Sequence, residues 1–132
     1  MAKGDGERIL SAIDARMGEV YLAAFVRDGE GVVALDDEVV VKPDAAMVPD
    51  GGDWHGVGTA FAAADAALCA RLGGRLASVD AEALPHAADV ARLGALMFAR
   101  GAAIAPERIE PAYLRNNVAL TIAEQRALRK QA

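Results

Sequence analysis

Three β-type segments joined by turn sequences open the chain, and they constrain its fold more than any other feature. The segments, rich in branched and aromatic side chains that favour strands, are residues 9–15, 19–27 and 32–41. The third contains Asp36-Asp37, a predicted bulge or break. The connections, residues 16–18 and 28–31, contain glycine, which adopts positive φ at little cost. We therefore predict an antiparallel meander of three strands.

Strands and helices alternate after the meander. Residues 54–57 and 75–79 have the composition of short strands. Thr59 is a predicted N-cap for a helix that reaches residue 72. A second helix is predicted from Pro85 to residue 100, with Gly101 as its stop.

Each predicted helix carries an apolar stripe at helical spacing. The stripe of the first helix comprises Phe61, Ala64, Leu68 and Leu72. The stripe of the second, which we expect to be buried, comprises His86, Val90, Leu93 and Met97. Gly94 lies on the same side and would allow close contact with a sheet.

A helical tail is predicted for residues 118–132, where Thr121 and Glu124 have the spacing of a capping box. No repeat or linker divides the chain, so residues 1–132 are expected to form a single domain. A meander followed by strand–helix units predicts an α/β fold with a mixed sheet. This plan is compatible with the ribonuclease H-like unit that forms each half of actin-like ATPase-type domains.

Composition excludes several classes of protein. Hydrophobic residues make up 54% of the chain and charged residues 25%, which is typical of a globular domain and not of a disordered one. The net charge of −5 disfavours independent binding of nucleic acid. The sequence has neither an apolar signal segment nor a membrane-length apolar run, so we expect a cytoplasmic protein without membrane contact.

Three blocks of the sequence resemble the TsaB (YeaZ) family in order and spacing. They are residues 12–21 (Ala-Ile-Asp-Ala-Arg-Met-Gly-Glu-Val-Tyr), residues 56–59 (Gly-Val-Gly-Thr) and residues 111–119 (Pro-Ala-Tyr-Leu-Arg-Asn-Asn-Val-Ala). TsaB proteins have two similar halves, and the resemblance covers the C-terminal half. The resemblance implies either that the chain is a fragment of a TsaB-type protein or that its reading frame was started at an internal position.

The resemblance also implies a function. TsaB proteins are non-catalytic partners of the TsaD-type catalytic subunit and the TsaE-type ATPase, which install threonylcarbamoyl on an adenosine of tRNA. By this resemblance the chain would be an accessory pseudo-enzyme without a cofactor, and it would contact tRNA only indirectly. The family was formerly named glycoprotease-like, so a hydrolase stays an alternative, as does an actin-like nucleotide-binding fragment. A missing half would leave an apolar face, and we expect the chain to self-associate through it.

The candidate nucleotide site lies at two strand ends. Asp14, Arg16 and Gly18 occupy the turn that actin-like domains place near phosphate and metal, and Gly56 and Gly58 occupy the turn near the adenosine. One reading is a remnant of a nucleotide site. The other is that Asp14, Arg16 and Glu19 form a hydrogen-bonded corner, while the two later glycines let a strand turn into a helix.

A second group of candidates would contact a partner protein. It comprises Glu19, Tyr113, Leu114 and Arg115, because tyrosine and arginine are favoured interface anchors. The alternative is that Tyr113 and Leu114 pin the tail onto the domain while Arg115 pairs with an acidic residue.

No catalytic or metal-binding residue is predicted. His55 and His86 fall in different elements, whereas a metal site needs clustered ligands. Ser11 and Ser78 lie within predicted strands and lack a Gly-x-Ser-x-Gly turn. Cys69 lies in an apolar stretch and is interpreted as a small core residue.

Overall fold

The computed structural model describes residues 6–115 and 121–131. Its strands are β1 (Arg8–Asp14), β2 (Val20–Asp28), β3 (Gly31–Ala34), β4 (Val39–Val41), β5 (Trp54–Val57) and β6 (Leu76–Asp80). Its α-helices are α1 (Ala67–Leu72), α2 (Ala87–Ala99) and α3 (Ile122–Gln131). Short 3-10 turns occur at Pro43–Ala45, Thr59–Phe61, Ala64–Ala66, Gly73–Arg75 and Pro106–Arg108.

The six strands form one mixed sheet in the order β3-β2-β1-β5-β6, with β4 also paired to β2. The pairs β1–β2, β2–β3 and β2–β4 are antiparallel, whereas β1–β5 and β5–β6 are parallel. The predicted meander is therefore confirmed, and the third strand breaks between β3 and β4 around Asp36-Asp37 as expected. The α/β class with a mixed sheet is also confirmed.

The core lies on one face of the sheet. Leu10 of β1, Val20 of β2 and Trp54 of β5 are almost fully buried there, together with Phe61 and Leu68 from the segment after β5. These side chains alternate along their strands with the partly exposed residues of the opposite face. The opposite face therefore lacks a comparable core.

The single helix predicted from Thr59 to residue 72 is wrong. Ala64, Asp65 and Ala66 have left-handed φ values of 50°, 55° and 57°, which divide the segment into two 3-10 turns and the short α1. The Thr59 hydroxyl does not cap a helix, because it accepts a hydrogen bond from the Asp14 amide at 3.0 Å. The kink still brings Phe61 and Leu68 into the core, but Ala64 is exposed.

The predicted burial of the apolar stripe of the second helix, α2, is also wrong. Val90, Leu93 and Met97 are 64%, 39% and 57% exposed, and His86 is exposed as well. No atom lies within 4 Å of the position that a Gly94 side chain would take, so this glycine makes no close contact with the sheet. Helical spacing identifies the apolar side of a helix, but it cannot show whether this chain covers that side.

The tail confirms its predicted capping box. Thr121 donates to Glu124 from both its amide and its hydroxyl, at 2.7 Å each, and the Glu124 amide donates to the hydroxyl at 3.3 Å. These bonds from Thr121 hold the pKa of the Glu124 carboxyl below its usual value. Residues 118–120 and 132 of the predicted tail lie outside the described part of the chain. Within that part, no helix has the length and apolar character needed to cross a bilayer.

Candidate functional site

The turn that joins β1 to β2 has an unusual backbone. Arg16, Met17 and Gly18 are consecutive left-handed residues, with φ values of 64°, 57° and 74°. The turn is closed by hydrogen bonds from the Ala15 amide to the Glu19 carbonyl, 3.0 Å, and from the Glu19 amide to the Arg16 carbonyl, 3.1 Å. Left-handed non-glycine residues cost about 1 kcal/mol or more each. Other contacts must therefore hold this turn in place.

Asp14 provides one of these contacts. Its Oδ1 accepts a hydrogen bond from the Arg16 amide at 2.9 Å, which fixes the entry to the turn. Its own amide donates to Thr59 Oγ1, and this bond ties the end of β1 to the segment after β5. Asp14 therefore acts as a local brace for the backbone.

Arg115 provides the second contact, from 100 positions further along the chain. Its Nη1 donates to the Ala15 carbonyl at 2.9 Å and its Nη2 to the Arg16 carbonyl at 3.3 Å. Nη2 also forms an ion pair with Glu19 Oε1 at 3.1 Å, in which the Arg115 side chain is 13% exposed and that of Glu19 is 29% exposed. We call Asp14, Arg16, Glu19 and Arg115 the β1–β2 corner.

The β1–β2 corner borders a shallow cleft of about 360 Å³. The cleft is lined by Asp14, Arg16, Met17, Gly18, Glu19, Val20, Pro43, Ala63 and Ala64. A phosphate-binding loop presents several convergent backbone N–H groups, usually from glycines. Here Gly18 is the one glycine in the lining, Met17 beside it is 69% exposed, and the Asp14 carboxylate already accepts a hydrogen bond from the Arg16 amide. The arrangement is suited to stabilising the turn between β1 and β2 and differs from a phosphate-binding loop.

Gly56 and Gly58 are both buried and neither lines this cleft. A Cβ on Gly56 would lie 2.5 Å from the ring of Phe61, so the glycine makes room for the largest core residue of that segment. Gly58 has φ 118°, and a Cβ there would collide with the Ala12 carbonyl oxygen. The two glycines thus permit the close packing of β5 against Phe61 and β1. The structure places the candidate residues at adjacent strand ends without joining them in one cavity.

Tyr113 and Leu114 lie apart from the β1–β2 corner although they precede Arg115 directly. Tyr113 is 70% exposed and has φ 44°, while Leu114 is half-buried and lines a separate cleft of about 560 Å³. The remaining lining of that cleft is Ala34, Asp36, Asp37, Glu38 and Ala112. Of the predicted partner residues, Tyr113 is therefore the most accessible.

The structure also pairs two residues that the sequence did not connect. His55 Nδ1 lies 2.7 Å from Ser78 Oγ, because β5 and β6 are neighbouring parallel strands in which these residues are register partners. Glu7 lies nearby, and the Arg27 guanidinium that contacts it at 2.8 Å holds its pKa below the usual value, with a smaller contribution from His55. In the described part of the chain no carboxylate forms an ion pair with His55. The pair therefore lacks the third member of a catalytic triad.

A metal site was not predicted, and the described residues contain no group of three or more histidine, cysteine or carboxylate side chains able to hold an ion. Cys69 Sγ donates weakly to the Phe61 carbonyl at 3.4 Å, beside the core. This contact is typical of a small packed residue.

Comparison with known proteins identifies the relatives of the chain. No family model matches it. It is 40% identical over 126 residues to the tRNA threonylcarbamoyladenosine biosynthesis protein TsaB of Escherichia coli. The match covers 89% of this chain and 52% of that protein. The resemblance to the TsaB family is therefore confirmed.

Two solved structures from Pseudomonas aeruginosa agree with the relationship to TsaB. A protein described as similar to the peptidase YEAZ superposes with a TM-score of 0.72 at 34% identity, over 86% of this chain and 51% of that one. YeaZ superposes with a TM-score of 0.68 at 33% identity, over 81% of this chain and 48% of that one. These TsaB-type structures confirm the ribonuclease H-like, actin-like fold. The chain spans about half the length of the relatives it matches, as expected for one TsaB half.

Proposed function

We propose that this chain acts in tRNA threonylcarbamoyladenosine biosynthesis as the C-terminal half of a TsaB-type protein, and that its part there is accessory and non-catalytic. The observation that carries the proposal is the 40% identity over 126 residues to the TsaB protein of that pathway. The common fold supports it, since two solved YeaZ-type structures superpose on most of this chain with TM-scores of 0.72 and 0.68.

The geometry of the β1–β2 corner supports the non-catalytic part of the proposal. The side chains of Asp14, Glu19 and Arg115 are engaged with the chain itself, because Asp14 braces the Arg16 amide and Glu19 pairs with Arg115. Catalytic groups are more often positioned in a cleft with perturbed pKa values and open access to a substrate. Internal pairing of this kind makes the residues a joint between β1, β2 and the Arg115 segment.

The proposed partners are a TsaD-type catalytic subunit and a TsaE-type ATPase, acting together in the cytoplasm. Tyr113 is the predicted anchor on this chain, because it is exposed next to the fixed Arg115. The net charge of −5 favours contact with protein partners over direct contact with tRNA. A second copy of the chain is a further proposed partner.

A chimera tests the proposed pathway directly. In E. coli TsaB, the matched region is replaced by this chain, and the chimera is expressed in cells depleted of their own TsaB. We expect threonylcarbamoyladenosine in digested tRNA, measured by mass spectrometry, to return to most of its normal level. The unmatched part of E. coli TsaB alone is the negative control. A soluble chimera that leaves the modification at the depleted level would refute the proposal.

Nucleotide binding is the competing function, favoured by the 360 Å³ cleft beside Asp14 and Arg16. A hydrolase is favoured by one observation, the contact between His55 and Ser78. In the part of the chain that the structure describes, that pair lies within strands β5 and β6 and not at a helix N-terminus or tight turn, where donors for the oxyanion of acyl transfer are usually found. The accessory role therefore accounts for more of the geometry than either alternative.

A further inference from the structure

Helix α3 carries all of its cations on one side. At about 100° per residue, Arg126, Arg129 and Lys130 lie on one arc of the helix together with Ile122. Glu124, the one carboxylate of the helix, lies on the opposite side and is engaged in the capping box. Every residue of α3 is exposed, and Ile122 is 67% exposed. We call Ile122 and the three cations the α3 basic face.

A surface of opposite charge lies at the break between β3 and β4. Asp36, Asp37 and Glu38 are consecutive exposed acids that line the cleft of about 560 Å³, and the rest of its lining is apolar. The flanking residues Leu35 and Val39 are 39% and 38% exposed. We call residues 35–39 the acidic turn. Carboxylates beside exposed apolar side chains make this surface complementary to the α3 basic face in both respects.

Neither surface has an ion-pair partner in the part of the chain that the structure describes. The ion pairs there are Arg27–Glu7, Arg92–Asp89 and Arg115–Glu19. Residues 121–132 contain three cations and one carboxylate, a charge of +2, so the rest of the chain carries −7 of the total of −5. A basic helix is therefore attached to an acidic body.

We propose that α3 closes over the acidic turn of its own chain, with the α3 basic face against residues 35–39. In this contact the three cations meet the three carboxylates, and Ile122 meets the apolar part of the cleft at Leu114. Leu114 lines the cleft and precedes Ile122 by eight positions. A chain of that length spans at most about 26 Å, so α3 starts within reach of the cleft.

The short tether favours this occupant over a separate molecule. A segment attached so close to its binding surface meets it at an effective concentration of the order of millimolar, so a few weak pairs suffice to hold it. A nucleic acid that approached α3 would instead be repelled by the −7 of the remaining chain. The structure shows the open arrangement, in which α3 and the acidic turn are both exposed.

Salt controls the closed arrangement, because its charged groups lie at the surface. The distance over which exposed charges interact falls from about 10 Å at 0.1 M salt to about 3 Å at 1 M. Closure is therefore favoured at low ionic strength and is lost in concentrated salt. The helix acts as a salt-sensitive strap over the cleft.

A spin label on α3 tests the contact by nuclear magnetic resonance of the whole chain. The label is attached to Ala127→Cys, beside the α3 basic face, in a chain whose own thiol is removed by Cys69→Ala. At about 0.01 M salt, where screening is weak, we expect it to broaden the amide signals of residues 36–38 more than those of residues 28–30. About 1 M salt should remove this difference. Absence of broadening at residues 36–38 in low salt would overturn the proposal.

Neutral variants of the acids test whether charge holds the helix. The test variant combines Asp36→Asn, Asp37→Asn and Glu38→Gln. The matched control, which removes three exposed acids elsewhere, combines Asp28→Asn, Glu30→Gln and Asp44→Asn. The test variant should lower the broadening at residues 36–38 at least about fivefold, the combined effect of three exposed ion pairs, and the control less than about twofold. Equal losses in the two folded variants would contradict the contact.

A mixed sample separates closure within one chain from contact between chains. Isotope-labelled chain without a spin label is mixed with unlabelled chain that carries the spin label at position 127. We expect no broadening of residues 36–38 in this mixture, because each α3 covers its own acidic turn. Broadening as strong as in the singly labelled chain would assign the contact to another molecule and overturn the proposal. These measurements do not depend on tRNA modification.

Discussion

Replacing Gly58 with alanine is expected to lower the free energy of unfolding by about 3 kcal/mol, since the new methyl group meets backbone in a strained conformation. Gly58 has φ 118°, which alanine rarely adopts, and the added Cβ would collide with the Ala12 carbonyl oxygen of β1. Backbone atoms cannot move aside as a flexible side chain can, so β1 and β5 would have to separate. Urea unfolding followed by circular dichroism measures the change.

Gly74→Ala is the matched control for Gly58→Ala. Gly74 has no atom within 4 Å of the Cβ position and is not in the left-handed region. Its replacement should change the free energy of unfolding by less than about 0.5 kcal/mol. Equal effects of the two substitutions would show that β1 and β5 do not need the close approach at Gly58.

Replacing Arg115 with alanine is expected to cost about 2 kcal/mol, because it breaks a largely buried group of charge-assisted hydrogen bonds. The Ala15 carbonyl and the Glu19 carboxylate would lose the Arg115 guanidinium as their partner, and the Arg16 carbonyl would keep the hydrogen bond from the Glu19 amide. The left-handed turn at residues 16–18 would then have Asp14 as its remaining side-chain brace. Hydrogen exchange should show faster opening of this turn than of β5.

Arg92→Ala is the control for the loss of an arginine. Arg92 pairs with Asp89 at 2.7 Å, but both side chains are more than half exposed. Exposed pairs contribute less than about 1 kcal/mol, so its effect on unfolding should be small. If Arg115→Ala is no more harmful than Arg92→Ala, the contacts of Arg115 do not hold the β1–β2 corner.

Local patterns were sufficient to predict the sheet. Branched residues in segments separated by Gly18 and Gly29 specify a meander without reference to distant parts of the chain. The Thr121–Glu124 capping box was likewise predicted, because its two residues are three positions apart. In both cases the interactions that form the element join residues that are close together in the sequence.

Interactions between distant residues could not be predicted in this way. The helix predicted from Thr59 is interrupted by the left-handed residues Ala64, Asp65 and Ala66, and the Thr59 hydroxyl accepts its hydrogen bond from the Asp14 amide, 45 positions away. The contact between His55 and Ser78 depends on the register of two parallel strands, which no local pattern reveals. The apolar side of α2 was recognised from the spacing of Val90, Leu93 and Met97, but its burial depends on a surface that the described residues do not supply.

The candidate site combines interactions between neighbouring residues, which were predicted, with interactions between distant residues, which were not. Asp14, Arg16 and Glu19 were predicted to form a hydrogen-bonded corner, and the structure shows those hydrogen bonds. The pairing of Arg115 with an acid was also anticipated, but the identity of that acid as Glu19 required the fold. The corner is thus a joint where the Arg115 segment meets the first strand pair.

Isothermal titration calorimetry with ATP and Mg²⁺ tests the central claim that the β1–β2 corner is a structural joint of a non-catalytic protein. Gly18 is the one glycine in the lining of the cleft beside Asp14, and the Asp14 carboxylate already accepts a hydrogen bond from the Arg16 amide. We therefore predict no saturable heat of binding in the micromolar range for the wild-type chain. Micromolar binding of ATP that is abolished by Asp14→Ala, in a variant that remains folded, would contradict the claim and assign the corner to a nucleotide site.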